Sequence, residues 1–75
     1  MQYVIRDLED RELGRANDAR FAWQLIENQW PDASAQILGG PWFHDWMHLT
    51  IHLTAGEALI LWNGRTVGGV SVVEE

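Results

Sequence analysis

Three histidines, His44, His48 and His52, recur at four-residue spacing in the stretch HDWMHLTIHLTAG. Imidazole is the commonest protein ligand for zinc and related metals. On a helix this spacing lines the three rings along one face, with neighbours about 6 Å apart. On a strand His48 and His52 stand about 13 Å apart, too far to share an ion whose zinc–nitrogen bonds are about 2 Å. Met47, Leu49, Ile51 and Leu53 alternate with His48, Thr50, His52 and Thr54. That period of two favours a strand, with a helical turn at residues 42–46. The competing helix would align Trp42, Trp46, Leu49 and Leu53, with Pro41 in its first turn and Gly56 as its cap. Under the strand reading the histidines are the wet side of a sheet, and no metal or other cofactor is expected.

Other reactive constellations are thin. Ser34 and Ser71 are the only serines, and neither lies in a nucleophile-elbow pattern. Gly39-Gly40 and Gly68-Gly69 lack the Lys-Ser/Thr continuation of a phosphate loop. Glu9, Asp10 and Glu12 fall in a charged connection, where solvated carboxylates are the simplest reading. The sequence points away from an enzyme.

The elements that would position these residues begin with a short strand at Tyr3–Ile5. EDRELGR follows as a charged connection. A helix is expected from Asn17 or Asp18, either a competent N-cap, to Trp30. Ala19, Ala22, Trp23, Ile26 and Trp30 form its apolar stripe, widened by Phe21 and Leu25, and Pro31 ends it. Residues 34–38 read either as a short strand or as a helical turn. Asn63-Gly64 between apolar runs predicts a two-residue type I′ hairpin pairing Trp62 with Arg65, Leu61 with Thr66 and Ile60 with Val67. In that register Ala58, Ile60, Trp62, Val67 and Val73 share one side, and Leu59, Leu61, Val70 and Val72 the other. Gly68-Gly69 marks a bulge or a close approach to the backbone. The expected fold is α+β, a single domain over residues 1–75. One main helix packs on a three- to four-stranded, largely antiparallel sheet in β-α-β-β-β order. One sheet face is then left apolar and uncovered.

VIRDLEDREL and LWNGRTVGGVSVVEE together resemble the first strand and second hairpin of the GNAT acetyltransferases, over about 25 residues. The resemblance implies a shared local shape. The sequence stops before the segment that would hold that family's Gly-rich pyrophosphate-binding turn, so no activity or site residue is carried over.

Composition narrows the function classes. The chain has 75 residues and no cysteine, which removes disulfides and thiolate chemistry. A core this small is marginal without help from a metal, a disulfide or association. Five arginines and no lysine oppose eleven acids, a net charge of −6. Such a surface repels nucleic-acid phosphates and anionic lipid, so no direct nucleic acid and no membrane is expected as partner. No apolar run approaches a membrane span and the start lacks the pattern of a signal peptide, so a cytoplasmic location is expected.

Five tryptophans, Trp23, Trp30, Trp42, Trp46 and Trp62, exceed what a small core easily accommodates. At least one is expected at an interface. The leading expectation is therefore a small acidic inhibitor or modulator that binds another protein with a basic surface. By analogy of size and charge, phage-encoded anti-defence proteins, including anti-CRISPR proteins, are of this type. The alternative is a homodimeric structural or regulatory module, whose partner is a second copy of itself. A histidine-dependent metal protein comes third. The interface candidates are Trp42, Phe43, Trp46 and Trp62 as anchors, with Asp45, Glu57, Glu74 and Glu75 as an acidic rim.

Overall fold

A computed structural model describes residues 1–37, 39–52 and 56–73; the side chains of residues 50–52 and 56 are outside that description. The elements are β1 (Gln2–Asp7), β2 (Glu12–Ala16), α1 (Ala19–Gln29), β3 (Ser34–Ile37), β4 (Trp42–Phe43), α2 (Trp46–His52), β5 (Gly56–Trp62) and β6 (Arg65–Val73). The strands form a six-stranded sheet in the order β2-β1-β6-β5-β3-β4, with antiparallel pairing throughout. The α+β class stands, but the sheet is larger than expected and a second short helix joins the first.

Helix α1 forms as its sequence dictates. Asp18 takes extended geometry and its Oδ1 accepts a 2.7 Å hydrogen bond from the Phe21 amide. That satisfies a donor no helical carbonyl can reach. Ala19, Ala22, Trp23 and Ile26 are buried against the sheet, and Trp30 closes the helix by donating its amide to the Ile26 carbonyl at 2.8 Å. Phe21 falls outside the stripe and stays exposed, whereas Leu25 packs over Gly14 of β2.

Two expectations about strands are corrected. The charged connection EDRELGR runs into β2, an edge strand that begins at Glu12 and whose alternation is masked by a register shift opposite Ile5 and Arg6. Residues 46–52 are helix and 42–43 are strand, the reverse of the expected arrangement. The cause is Asp45, whose Oδ1 accepts the His48 amide at 3.0 Å. That N-cap starts a turn which buries Leu49 fully and packs Trp46 against the core.

The β5–β6 hairpin turns at Asn63-Gly64 with φ of 53° and 79°, as a type I′ turn requires. Trp62 faces Arg65 and Leu61 faces Thr66 as expected, but Ile60 faces Gly68, because a bulge leaves Val67 without a partner. The extra residue reverses the sides of everything after it. Val70 and Val72 thus join Ala58 and Ile60 on the helix-covered face, and Val73 turns to the other. The second face is consequently less apolar than the simple hairpin register implies.

The main core lies between one sheet face and both helices, while Val4 is fully buried on the opposite face between Arg15 and Ser71 of the neighbouring strands. The main core contains Tyr3, Ile5, Trp23, Ile26, Trp30, Phe43, Leu49, Ile60 and Val70. Among the described residues, no helix is long and apolar enough to cross a membrane.

Candidate functional site

No helix of the described residues covers the opposite face of the sheet, and the strand register lays out its side chains. One row reads Trp42 (β4), Gln36 (β3), Leu59 (β5), Gly69 (β6), Arg6 (β1) and Glu12 (β2). The row beside it holds Glu57, Ser71, Val4 and Arg15. Trp42 is 48% exposed and Leu59 43%. Both belong to regular strands and point away from the core because they alternate with buried Phe43 and with Ala58 and Ile60. Gln36 between them donates its amide to the Gly40 carbonyl at 2.9 Å, which pins the β3–β4 connection and the edge strand bearing Trp42.

The β1–β2 end of the sheet gathers three arginines and four acids that pair with one another. Arg15 pairs with Glu12 at 2.9 Å and donates to Gln2 Oε1 at 3.1 Å. Arg11 pairs with Asp7 and Glu9, and Arg6 lies 3.7 Å from Asp10. The Asp7 carboxyl is held below its ordinary range, first by the Arg11 amide. Glu12 is held down chiefly by the Arg15 side chain. Across the middle Arg6 Nη1 donates to Ser71 Oγ at 3.5 Å, and Ser71 donates to Glu57 Oε2 at 3.3 Å. With four of the five arginines confined to residues 1–20, five of the six surplus negative charges belong to the rest of the chain.

The expected interface residues separate into several groups. Trp42 and Glu57 are exposed on the open face. Phe43 is not a surface anchor: at 4% exposure it is core, 6.1 Å from the Trp23 ring and stacked 5.3 Å from His48. Trp46 and Trp62 are partly buried against the core on the helix side. Trp46 carries the Arg20 guanidinium over its ring at 4.7 Å, and Trp62 donates its indole N–H to the Pro31 carbonyl at 2.8 Å. Asp45 is occupied as the cap of α2. Glu74 and Glu75 lie outside the described residues. Leu59, missed in the sequence, joins Trp42; its signal was the alternation Ala58, Leu59, Ile60 opposite β3.

The histidines also need correction, since the strand spacing that kept them apart does not exist. His48 donates Nδ1–H to Asp45 Oδ1 at 2.8 Å, and that bond is the main reason the Asp45 carboxyl sits below its ordinary range. His44 shares a 3.2 Å hydrogen bond with Ser34 Oγ. The two rings are thus tied to different partners, and the His52 side chain lies outside the described residues. Among the described residues no three His, Asp or Glu side chains gather in a metal-binding group.

No protein-family model, curated protein or solved structure matches this chain.

Proposed function

We propose that this is a small acidic protein-binding inhibitor or modulator, which engages its partner through the uncovered sheet face and acts without catalysis. The observation that carries this reading is the placement of two half-exposed apolar side chains, Trp42 and Leu59, in one row on that face. Tryptophan at the centre of a desolvated contact is a frequent energetic anchor. Glu57 beside Leu59 and the net charge of −6 favour a partner with a basic surface, because opposite fields accelerate encounter and select against acidic competitors. A soluble cytoplasmic setting accompanies this reading.

The test compares the wild-type chain with Trp42→Ala/Leu59→Ser and with Phe21→Ala, a control on the exposed side of α1. Each is immobilised and exposed to extract of the source cell. A specific partner should be retained by wild type and the Phe21 variant and lost by the double variant. Equal retention by the folded double variant removes the sheet face as the contact surface.

A further inference from the structure

Asn63-Gly64, the dipeptide that turns the β5–β6 hairpin, also carries a reaction. An asparagine side chain holds its carboxamide carbon, Cγ, where a five-membered ring can close onto the backbone nitrogen of the next residue. A Cβ on that next residue hinders the approach, and glycine has none. Of the three asparagines only Asn63 precedes a glycine; Asn17 precedes Asp18 and Asn28 precedes Gln29. The fold restrains those two further. Asn17 Oδ1 accepts from Gln2 Nε2 at 3.2 Å, and Asn28 lies inside α1, where backbone amides are committed to helical bonds.

The turn leaves Asn63 accessible. Asn63, Gly64 and Arg65 are exposed, and among the described residues the Asn63 carboxamide has no hydrogen-bond partner. A Cβ built on Gly64 would meet nothing within 4 Å. The ladder closes at Trp62 opposite Arg65, so the Gly64 amide stands outside it. In a type I′ turn that nitrogen points away from the Asn63 side chain, and the peptide between the two residues must flip to bring it round. The flip takes Asn63 ψ from about +30° to about −120° and converts the I′ turn into a II′ turn. Both types need positive φ at the first position, where Asn63 already has 53°. Gly64, now at φ 79°, changes sign, which glycine does freely. Both turns suit a two-residue hairpin, so the strands stay paired while the peptide flips.

We propose that Asn63 is a site of spontaneous deamidation in the folded protein, with water as the co-reactant. The Gly64 nitrogen bonds to Asn63 Cγ, the Cγ–Nδ2 bond breaks, and ammonia leaves with the proton that the Gly64 nitrogen gives up. Water then opens the cyclic imide at one of its two carbonyls. Opening at Cγ leaves aspartate on an unaltered main chain. Opening at the backbone carbonyl leaves isoaspartate, with the main chain rerouted through Cβ and Cγ. Either product adds a carboxylate and takes the net charge from −6 to −7. Aspartate tolerates the positive φ of the turn. Isoaspartate lengthens the loop by one main-chain atom and loosens the pairing of Trp62 with Arg65, at the end of the central strand pair of the sheet. The site lies apart from the Trp42–Leu59 row and stands whether or not that face binds a partner.

Incubation of the folded chain at neutral and mildly alkaline pH, followed by peptide mapping with mass spectrometry, tests it. A free peptide of residues 61–67 gives the rate of the unconstrained reaction. With the flipped turn populated at about 1% or more, the folded chain should react at no less than about one-hundredth of the peptide's rate. The mass gain, that of O replacing NH, should fall on the Asn63 fragment and divide between aspartate and isoaspartate, the latter counted by enzymatic methyl transfer to its free carboxyl. The rate should rise with pH, because the deprotonated amide nitrogen is the nucleophile. It should stay level in sub-denaturing urea, because the reacting state is folded. A folded chain slower than that bound overturns the proposal, since the turn then locks the amide away. So does a rate that climbs with urea in step with unfolding, or product that forms first at Asn17 or Asn28.

Discussion

The Trp30 indole lies across the bare backbone of Gly68, close enough that a Cβ there would stand 2.9 Å from its Cη2 atom. This contact joins the end of α1 to the centre of the sheet, between β1 and β5. Gly68→Ala should therefore destabilise the fold by about 1–3 kcal/mol through overpacking. Gly69→Ala, with only one close carbonyl, should cost clearly less. Urea denaturation measures both. Equal midpoints for the two variants would contradict the assignment of Gly68 to the core side.

Gly64 holds the second position of the hairpin turn at φ 79°. A β-branched residue is strained there, so Gly64→Val should lower stability by about 1 kcal/mol or more, read as a shift in the denaturation midpoint. An unshifted midpoint would mean that the turn tolerates another geometry.

Asp7, Glu12 and Asp45 all have carboxyl groups below their ordinary range, through bonds from the Arg11 amide, the Arg15 side chain and His48 respectively. A depressed folded-state pKa gives stability that is complete above the unfolded value, about 4, and is lost as pH falls through the folded value. Thermal stability should hold from neutral pH to about 5 and then decline steadily below 4. Asp45→Asn should soften that decline, since Asn still caps a helix but does not titrate. A wild-type melting temperature that is flat from pH 7 to pH 3 would rule out these pairings in solution.

Much of this architecture could be read from residue order. The α1 stripe, its Asp18 cap and the Asn63-Gly64 turn are local features whose chemistry allows few alternatives. The errors arose where one residue outweighed a pattern. Asp45 caps a turn and makes a helix of a segment whose alternation suits a strand. Val67 adds one residue to β6 and sends Val70 and Val72 into the core. The edge strand β2 is disguised because its shift brings Glu12 and Arg15, three residues apart, to the same face, where they pair at 2.9 Å. At the candidate site, Trp42 and Glu57 were legible as types, but which tryptophans were covered depended on tertiary packing. Phe43 differs from its neighbour Trp42 only in the face it meets.

Charge and apolar contact should separate kinetically once a partner is in hand. Glu57→Gln should mainly slow association and flatten its salt dependence, while Trp42→Ala should mainly accelerate dissociation. Surface plasmon resonance at several salt concentrations resolves the two. The reverse pattern, with Trp42 governing the on-rate, would contradict the anchor-and-rim arrangement.

The most direct measurement is a map of amide and indole NMR shifts on association, either along a concentration series or during titration with a captured partner. Contact through the sheet face should move Gln36, Leu59, Gly69, Arg6 and the Trp42 indole N–H. Gln24 and Phe21 on α1 should stay in place. Shifts confined to Phe21, Gln24 and Met47, with Leu59 and Gly69 unmoved, would place the contact on the helices and contradict the account.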